Sequence, residues 1–189
     1  MNERASDIVY HYTDSARLPF ILLDGKLRAG RNRIGGYPDP DFLWATTSPV
    51  GDRTASASIE ACRAGRVRLV RFILLADAFE PWRAIITRFP AWTPQQVAGL
   101  ETAAAGKSRP QDWRCRAEPL PAGQWLGIET RSYTDKTWRP LPIPRSVMPF
   151  GHSSFGIQIG NKVYVSTQRE GPLGLASYAP VVLDAEAAA

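Results

Sequence analysis

From Ile8 to Thr13 apolar and polar positions alternate, which predicts a strand. The period then changes, and Leu18, Ile21 and Leu22 fall on one face of a short helix. Asp14 or Ser15 can cap that helix. Pro19 sits in its first turn, where a missing N–H costs least, and Gly25 can end it. Residues 26–28 suit a short strand. Residues 29–41 are rich in Gly, Pro and Arg and read as a loop. Aromatic and β-branched residues from Phe42 to Thr47 predict another strand, and residues 48–51 turn the chain. Asp52 or Thr54 caps a helix of small residues from Ala55 to Ala64, closed by Gly65. Residues 66–75 form a strand with Val67 and Leu69 on one face and Arg66 and Arg68 on the other.

In the second half, Thr93 and Pro94 open a helix from Gln95 to Ala105. Asp112 to Leu120 reads as a strand ending at Pro119, and Trp125 to Thr130 as another. Residues 139–150 hold four prolines and are extended. Residues 156–166 form a hairpin turning at Gly160-Asn161, and residues 185–189 fray. Strands outnumber helices and the order is mixed, so the fold class is α+β.

Composition narrows the partners only slightly. A chain of 189 residues, 44% hydrophobic and 22% charged, suits one globular domain that buries its own core. No apolar run nears the ~20 residues of a membrane helix. The polar N-terminus has no signal-peptide core, so a cytoplasmic location is expected. In the reducing compartment expected here, the two cysteines (Cys62, Cys115) argue against a structural disulfide, and with the two histidines (His11, His152) they are too widely spaced for a metal cluster. Neither cysteine sits in a recognisable nucleophile elbow. His152 lies between Gly151 and Ser153 and reads as part of a turn. The net charge of +5, from 23 Lys and Arg, suits either a solvated basic surface or a phosphate-bearing partner.

Three segments, in order, carry a resemblance. They are Tyr10-His11-Tyr12-Thr13 followed by Leu18, Ile21, Leu22 and Gly25; Phe42-Leu43-Trp44-Ala45-Thr46-Thr47-Ser48-Pro49; and Arg116-Ala117-Glu118-Pro119-Leu120-Pro121 running on to Trp125 and Glu129. Together, over residues 8–130, they resemble the DarT-like DNA ADP-ribosyltransferases. That resemblance implies the ADP-ribosyltransferase fold, a split mixed and antiparallel sheet with peripheral helices. It implies a catalytic domain over residues 1–140, with a C-terminal extension and hairpin over residues 141–189. Arg17 stands where the family usually has Asn, and residues 145–184 have no counterpart in it.

The implied chemistry is transfer of ADP-ribose from NAD to DNA or another macromolecule, in a toxin or defence role with a possible neutralising antitoxin. Breaking the bond to nicotinamide leaves an oxocarbenium-like ribose. Such a site must pin the ribose, hold the pyrophosphate and set a carboxylate by the developing cation. By resemblance His11 meets the adenosine-side ribose, with Thr13 completing the His-x-Thr step. Tyr12 or Trp44 stacks on nicotinamide in that scheme, although residue type favours a core place for both over a stacking role. Thr46 lies on the strand beside them. Arg31 or Arg33 meets the pyrophosphate, and Arg31, Arg33 and Arg53 compete for the family's target-site arginine. Glu118 is the expected catalytic carboxylate, with Glu129 its rival. An NAD glycohydrolase, with water as acceptor, is the nearest alternative. The basic and histidine set of a tRNA 2′-phosphotransferase is missing. A non-catalytic module binding nucleic acid or protein through the basic loop and the 156–166 hairpin is the alternative from another class. Stabilisation by NAD, or by nucleic acid alone, separates enzyme from module.

Overall fold

The computed structural model describes residues 8–30, 36–51, 59–142, 147–170 and 176–187. Its strands are β1 (Ile8–Asp14), β2 (Lys26–Leu27), β3 (Leu43–Thr46), β4 (Leu69–Leu75), β5 (Glu80–Pro81), β6 (Trp113–Arg116), β7 (Leu120–Pro121), β8 (Trp125–Arg131), β9 (Arg139–Pro140), β10 (Met148–Pro149), β11 (Ser154–Ile159), β12 (Lys162–Glu170) and β13 (Ala176–Asp184). The α-helices are α1 (Leu18–Asp24), α2 (Ile59–Arg63), α3 (Trp82–Ile85) and α4 (Pro94–Ala104). Hydrogen bonding orders the strands β5-β6-β3-β1-β4-β8-β9, β10-β11-β12-β13 and β2-β7. Pairs β1/β3, β3/β6, β5/β6, β8/β9 and all pairs of the four-stranded sheet are antiparallel. The protein is therefore α+β, with mostly antiparallel sheets and few helices. No described helix is long and apolar enough to cross a membrane.

Contacts divide the chain into two compact units: Met1–His11, Leu27–Ala55 and Ile73–Leu126 make the first, and Tyr12–Lys26, Ser56–Phe72 and Gly127–Ala189 the second. The core of the first unit is aromatic. Phe42, Trp82, Ile85, Ile86, Trp92, Trp113 and Cys115 are buried together, with Trp44, Phe89 and Tyr37 packed against them. The register explains how strands feed this core. Trp44 lies opposite Cys115 and Thr46 opposite Trp113, so these four side chains share a sheet face. Helix α4 closes over it and starts with a capping box. Thr93 Oγ1 accepts from the Gln96 backbone N–H, and Gln96 Oε1 accepts from the Thr93 backbone N–H.

In the second unit the end of β1 leads into α1. Asp14 is buried and its Oδ1 accepts the Ala16 and Arg17 backbone N–H groups, at 3.0 and 3.1 Å. Asp14 was an expected cap, but Arg17 holds the N-cap position and Asp14 organises the turn before it. Gly25 ends the helix at φ 64°, a left-handed conformation that glycine adopts without steric cost. Ser15 donates its backbone N–H to the Arg68 carbonyl, and its Oγ accepts the Arg68 N–H, both at 2.9 Å. The strand predicted from residue 66 begins instead at Leu69. Val67 is buried with Ala16, Ala61 and Cys62, next to α2 rather than on a sheet face.

The predicted hairpin is β11/β12. Ile159 faces Lys162 across Gly160-Asn161, with Gly160 at φ 64°. It is longer than its pattern suggested, and β13 adds a nine-residue partner along β12, from Lys162↔Asp184 to Glu170↔Ala176. Helix α1 packs here, with Phe20 edge-on to Phe155 at 5.5 Å and beside Tyr178 at 5.4 Å. Pro180 sits in the middle of β13, opposite Ser166, and β13 is the outermost strand of its sheet.

Candidate functional site

The histidine that opened the functional reading is held by its neighbour strand. His11 follows Tyr10, which pairs with Thr46, and its Nδ1 lies 2.7 Å from the Trp44 carbonyl oxygen. A carbonyl oxygen only accepts, so the ring proton sits on Nδ1 and Nε2 is the acceptor of the neutral ring. Alternation along β1 puts His11 on the opposite face from Tyr10, and therefore from Thr46, Trp44 and the aromatic core. By the same register Ala45 and Arg114, and Leu43 and Arg116, share the face of His11.

Glu118 belongs to the same unit as His11 and stands in the bend after β6. Its side chain is exposed. The bend is fixed by Arg116, a residue that sequence reasoning passed over. Arg116 Nε donates to the Glu118 carbonyl oxygen at 2.8 Å, Nη1 to the Ala78 carbonyl at 3.2 Å, and the guanidinium lies 5.9 Å from the centre of the Phe79 ring. Strand β3 lies between β1 and β6, so His11 and Glu118 are carried on strands one apart rather than on neighbouring ones.

The other expected residues are placed as follows. The half-buried Trp44 ring packs against Phe42, Trp82 and Trp113, with centroids 6.0, 5.0 and 5.6 Å away, which is the core use that its sequence also allowed. Thr46 is buried and its Oγ1 accepts the Ser48 backbone N–H at 3.1 Å, so the hydroxyl closes the turn after β3. Thr13 is buried in the second unit. Tyr12, also in that unit, tilts at 45° against Trp138, 5.7 Å between centroids. Arg31, Arg33 and Arg53 lie outside the described residues.

Glu129, the rival carboxylate, is engaged elsewhere. Arg71 donates to Glu129 Oε2 from both Nε and Nη2 at 2.6 Å, and the side chains are 10% and 17% exposed. Arg71 is an arginine inside the apolar run Val70-Arg71-Phe72, and that misfit in the hydrophobic pattern was the signal for a buried partner. Trp138 lies over this pair, 4.5 Å from the Arg71 guanidinium and 4.8 Å from that of Arg131.

Among the described residues no group of three or more His, Cys, Asp and Glu is placed to hold a metal ion. The two cysteines are free and buried. Burial, with the Asp14 charge second, pushes the Cys62 thiol up to about 11, and burial pushes Cys115 well above the usual thiol range. Thiolate is the reactive form, so near neutral pH neither cysteine of the folded protein should react with a thiol reagent. Both should label once denaturant unfolds the chain. Rapid labelling of either in the native protein would contradict this burial.

No family model matches the chain, and neither curated proteins nor solved structures include a significant match.

Proposed function

We propose that the chain is a mono-ADP-ribosyltransferase of the DarT-like kind, which uses NAD to modify a nucleic-acid or other macromolecular acceptor. The observation that carries this reading is the sheet face turned away from the aromatic core. It presents an imidazole with a fixed tautomer at His11, and the Arg116 that holds the bend bearing the exposed Glu118.

In this reading His11 hydrogen-bonds the adenosine-side ribose. The bond between ribose C1′ and the nicotinamide nitrogen breaks, and its electron pair leaves with nicotinamide. A nucleophilic atom of the acceptor bonds to C1′, and its proton passes to the Glu118 carboxylate, which also stabilises the cationic ribose.

The test is incubation of the purified chain with labelled NAD and with single- or double-stranded nucleic acid. Label should move to the acceptor as nicotinamide appears. Glu118→Ala should lower that rate by ~10²–10⁴-fold, the range for losing a general base. If nicotinamide is released with no label transferred, water is the acceptor and the chain is a glycohydrolase. If none is released, the NAD reading fails.

A further inference from the structure

The second unit carries a charged cluster that the NAD reading does not use. It lies on β8 and β4, under one aromatic ring. Arg71 is neutralised by Glu129, which leaves one positive charge of the cluster on Arg131. Arg131 Nη1 donates to the Asp135 backbone carbonyl at 3.1 Å, while its Nε is shut off from solvent and has no hydrogen-bond partner among the described residues. The Asp135 carboxylate is occupied elsewhere. Its Oδ1 accepts the Thr137 backbone N–H at 3.0 Å, and its Oδ2 lies 3.6 Å from Arg139 Nε.

A buried donor on a permanently charged group is costly to leave unmet. The ring above it offers a cation only its π face. Trp138 precedes the pair Thr130↔Arg139, so the same register sets it opposite Arg131, on the face that also carries Glu129. The indole is half-buried, at the end of a segment (residues 132–137) that forms no strand; its own Ser132, Asp135 and Thr137 turns shape it, and Arg63 Nε donates to the Tyr133 hydroxyl at 3.1 Å. The covered arrangement therefore keeps an orphaned cationic donor beneath a ring that water can reach.

We propose that Arg131, with Arg71 beside it, forms an oxyanion site for a phosphate group, and that Trp138 is its displaceable cover. A phosphate oxygen gives the Arg131 Nε its missing acceptor, and the planar guanidinium fork matches two such oxygens. Glu129 holds the Arg71 guanidinium in place. Arg71, Arg131 and Trp138 are none of the residues assigned to NAD, so this proposal stands or falls separately from that reading.

The experiment uses the full chain without NAD. Inorganic phosphate and glycerol 3-phosphate are titrated separately, against sodium chloride at equal ionic strength. Two signals are read: tryptophan fluorescence, and the unfolding temperature. With saturating phosphate we expect a saturable red shift of emission as Trp138 enters water, and a rise in Tm of ~2–4 °C. Arg131→Gln should abolish both. Trp138→Phe should remove the emission change and keep the rise in Tm. Arg131→Lys, which keeps the cation and loses the fork, should weaken binding by about tenfold and guards against a folding defect in the glutamine variant. A response to both ligands places recognition in the phosphate group itself, and a response to glycerol 3-phosphate alone places it in a phosphomonoester. No response beyond that of chloride to either ligand, or an undiminished response in Arg131→Gln, overturns the proposal.

Discussion

Glu129→Ala should lower the unfolding free energy by about 3–5 kcal/mol, the usual cost of removing one partner from a buried ion pair. The change strands the Arg71 guanidinium, 10% exposed, between its strand and the Trp138 ring. Both of its bonds to Glu129 end on Oε2, and the truncation removes that oxygen. Replacing both partners, Arg71→Met with Glu129→Leu, should recover most of the loss, because apolar groups of similar volume leave no unpaired charge. Glu118→Ala gives the opposite signature. Its side chain is exposed and forms no ion pair among the described residues, so stability should stay within about 0.5 kcal/mol while the rate of the proposed transfer falls by the ~10²–10⁴-fold expected for a lost general base. Urea unfolding of the three variants, alongside nicotinamide release, separates the two carboxylates. A stability loss under about 1 kcal/mol for Glu129→Ala would show that water or a rearranged side chain replaces the pair.

Trp82→Ala should cost about 3–5 kcal/mol and leave the chain at the edge of unfolding. Trp82 is 1% exposed and stands at the centre of the aromatic core. Its ring centroid lies 5.0 Å from Trp44, 5.3 Å from Trp92 and 6.1 Å from Phe42. It also joins two helices, because its Nε1 donates to Glu101 Oε1 of α4 at 3.1 Å, while Arg83 reaches the other oxygen of the same carboxylate. Truncation therefore removes ring contacts from strands β3 and β6 and a hydrogen bond from α4. Trp82→Phe keeps a ring and should cost clearly less. Thermal unfolding followed by near-ultraviolet circular dichroism reads both effects. The aromatic signal should shrink in the alanine variant before the helical signal does. A Tm within a degree or two of the parent would show that the remaining rings collapse into the space.

Features written in a few adjacent residues were readable in advance. Gly25 after the α1 stripe, Thr93-Pro94 with Gln96 behind it, and Gly160-Asn161 between alternating runs each act within one turn of the chain. What was not readable depends on partners far along it. Arg68 looked like a strand residue until Ser15, 53 positions earlier, claimed its backbone N–H. The sequence assigns no element to residues 176–184, because Ala, Pro and Ser dilute the strand pattern, and only pairing along β12 makes them a strand. In the candidate site His11 and Glu118 were identifiable by residue type and order. The Trp44 carbonyl that fixes one, and the Arg116 fork that holds the bend of the other, were not, since backbone acceptors leave no mark in a sequence. Arg71 and Glu129 are 58 positions apart, and only the misplaced charge in an apolar run hinted at their meeting.

Pro180 has a consequence for how copies of this protein meet. An open border of a sheet invites a neighbouring molecule to continue the ladder. Proline brings no amide hydrogen, so it is tolerated where that hydrogen would have pointed outward to solvent. A second chain approaching along residues 176–184 would find one rung missing midway, and self-assembly into fibrils through this border is disfavoured from the outset.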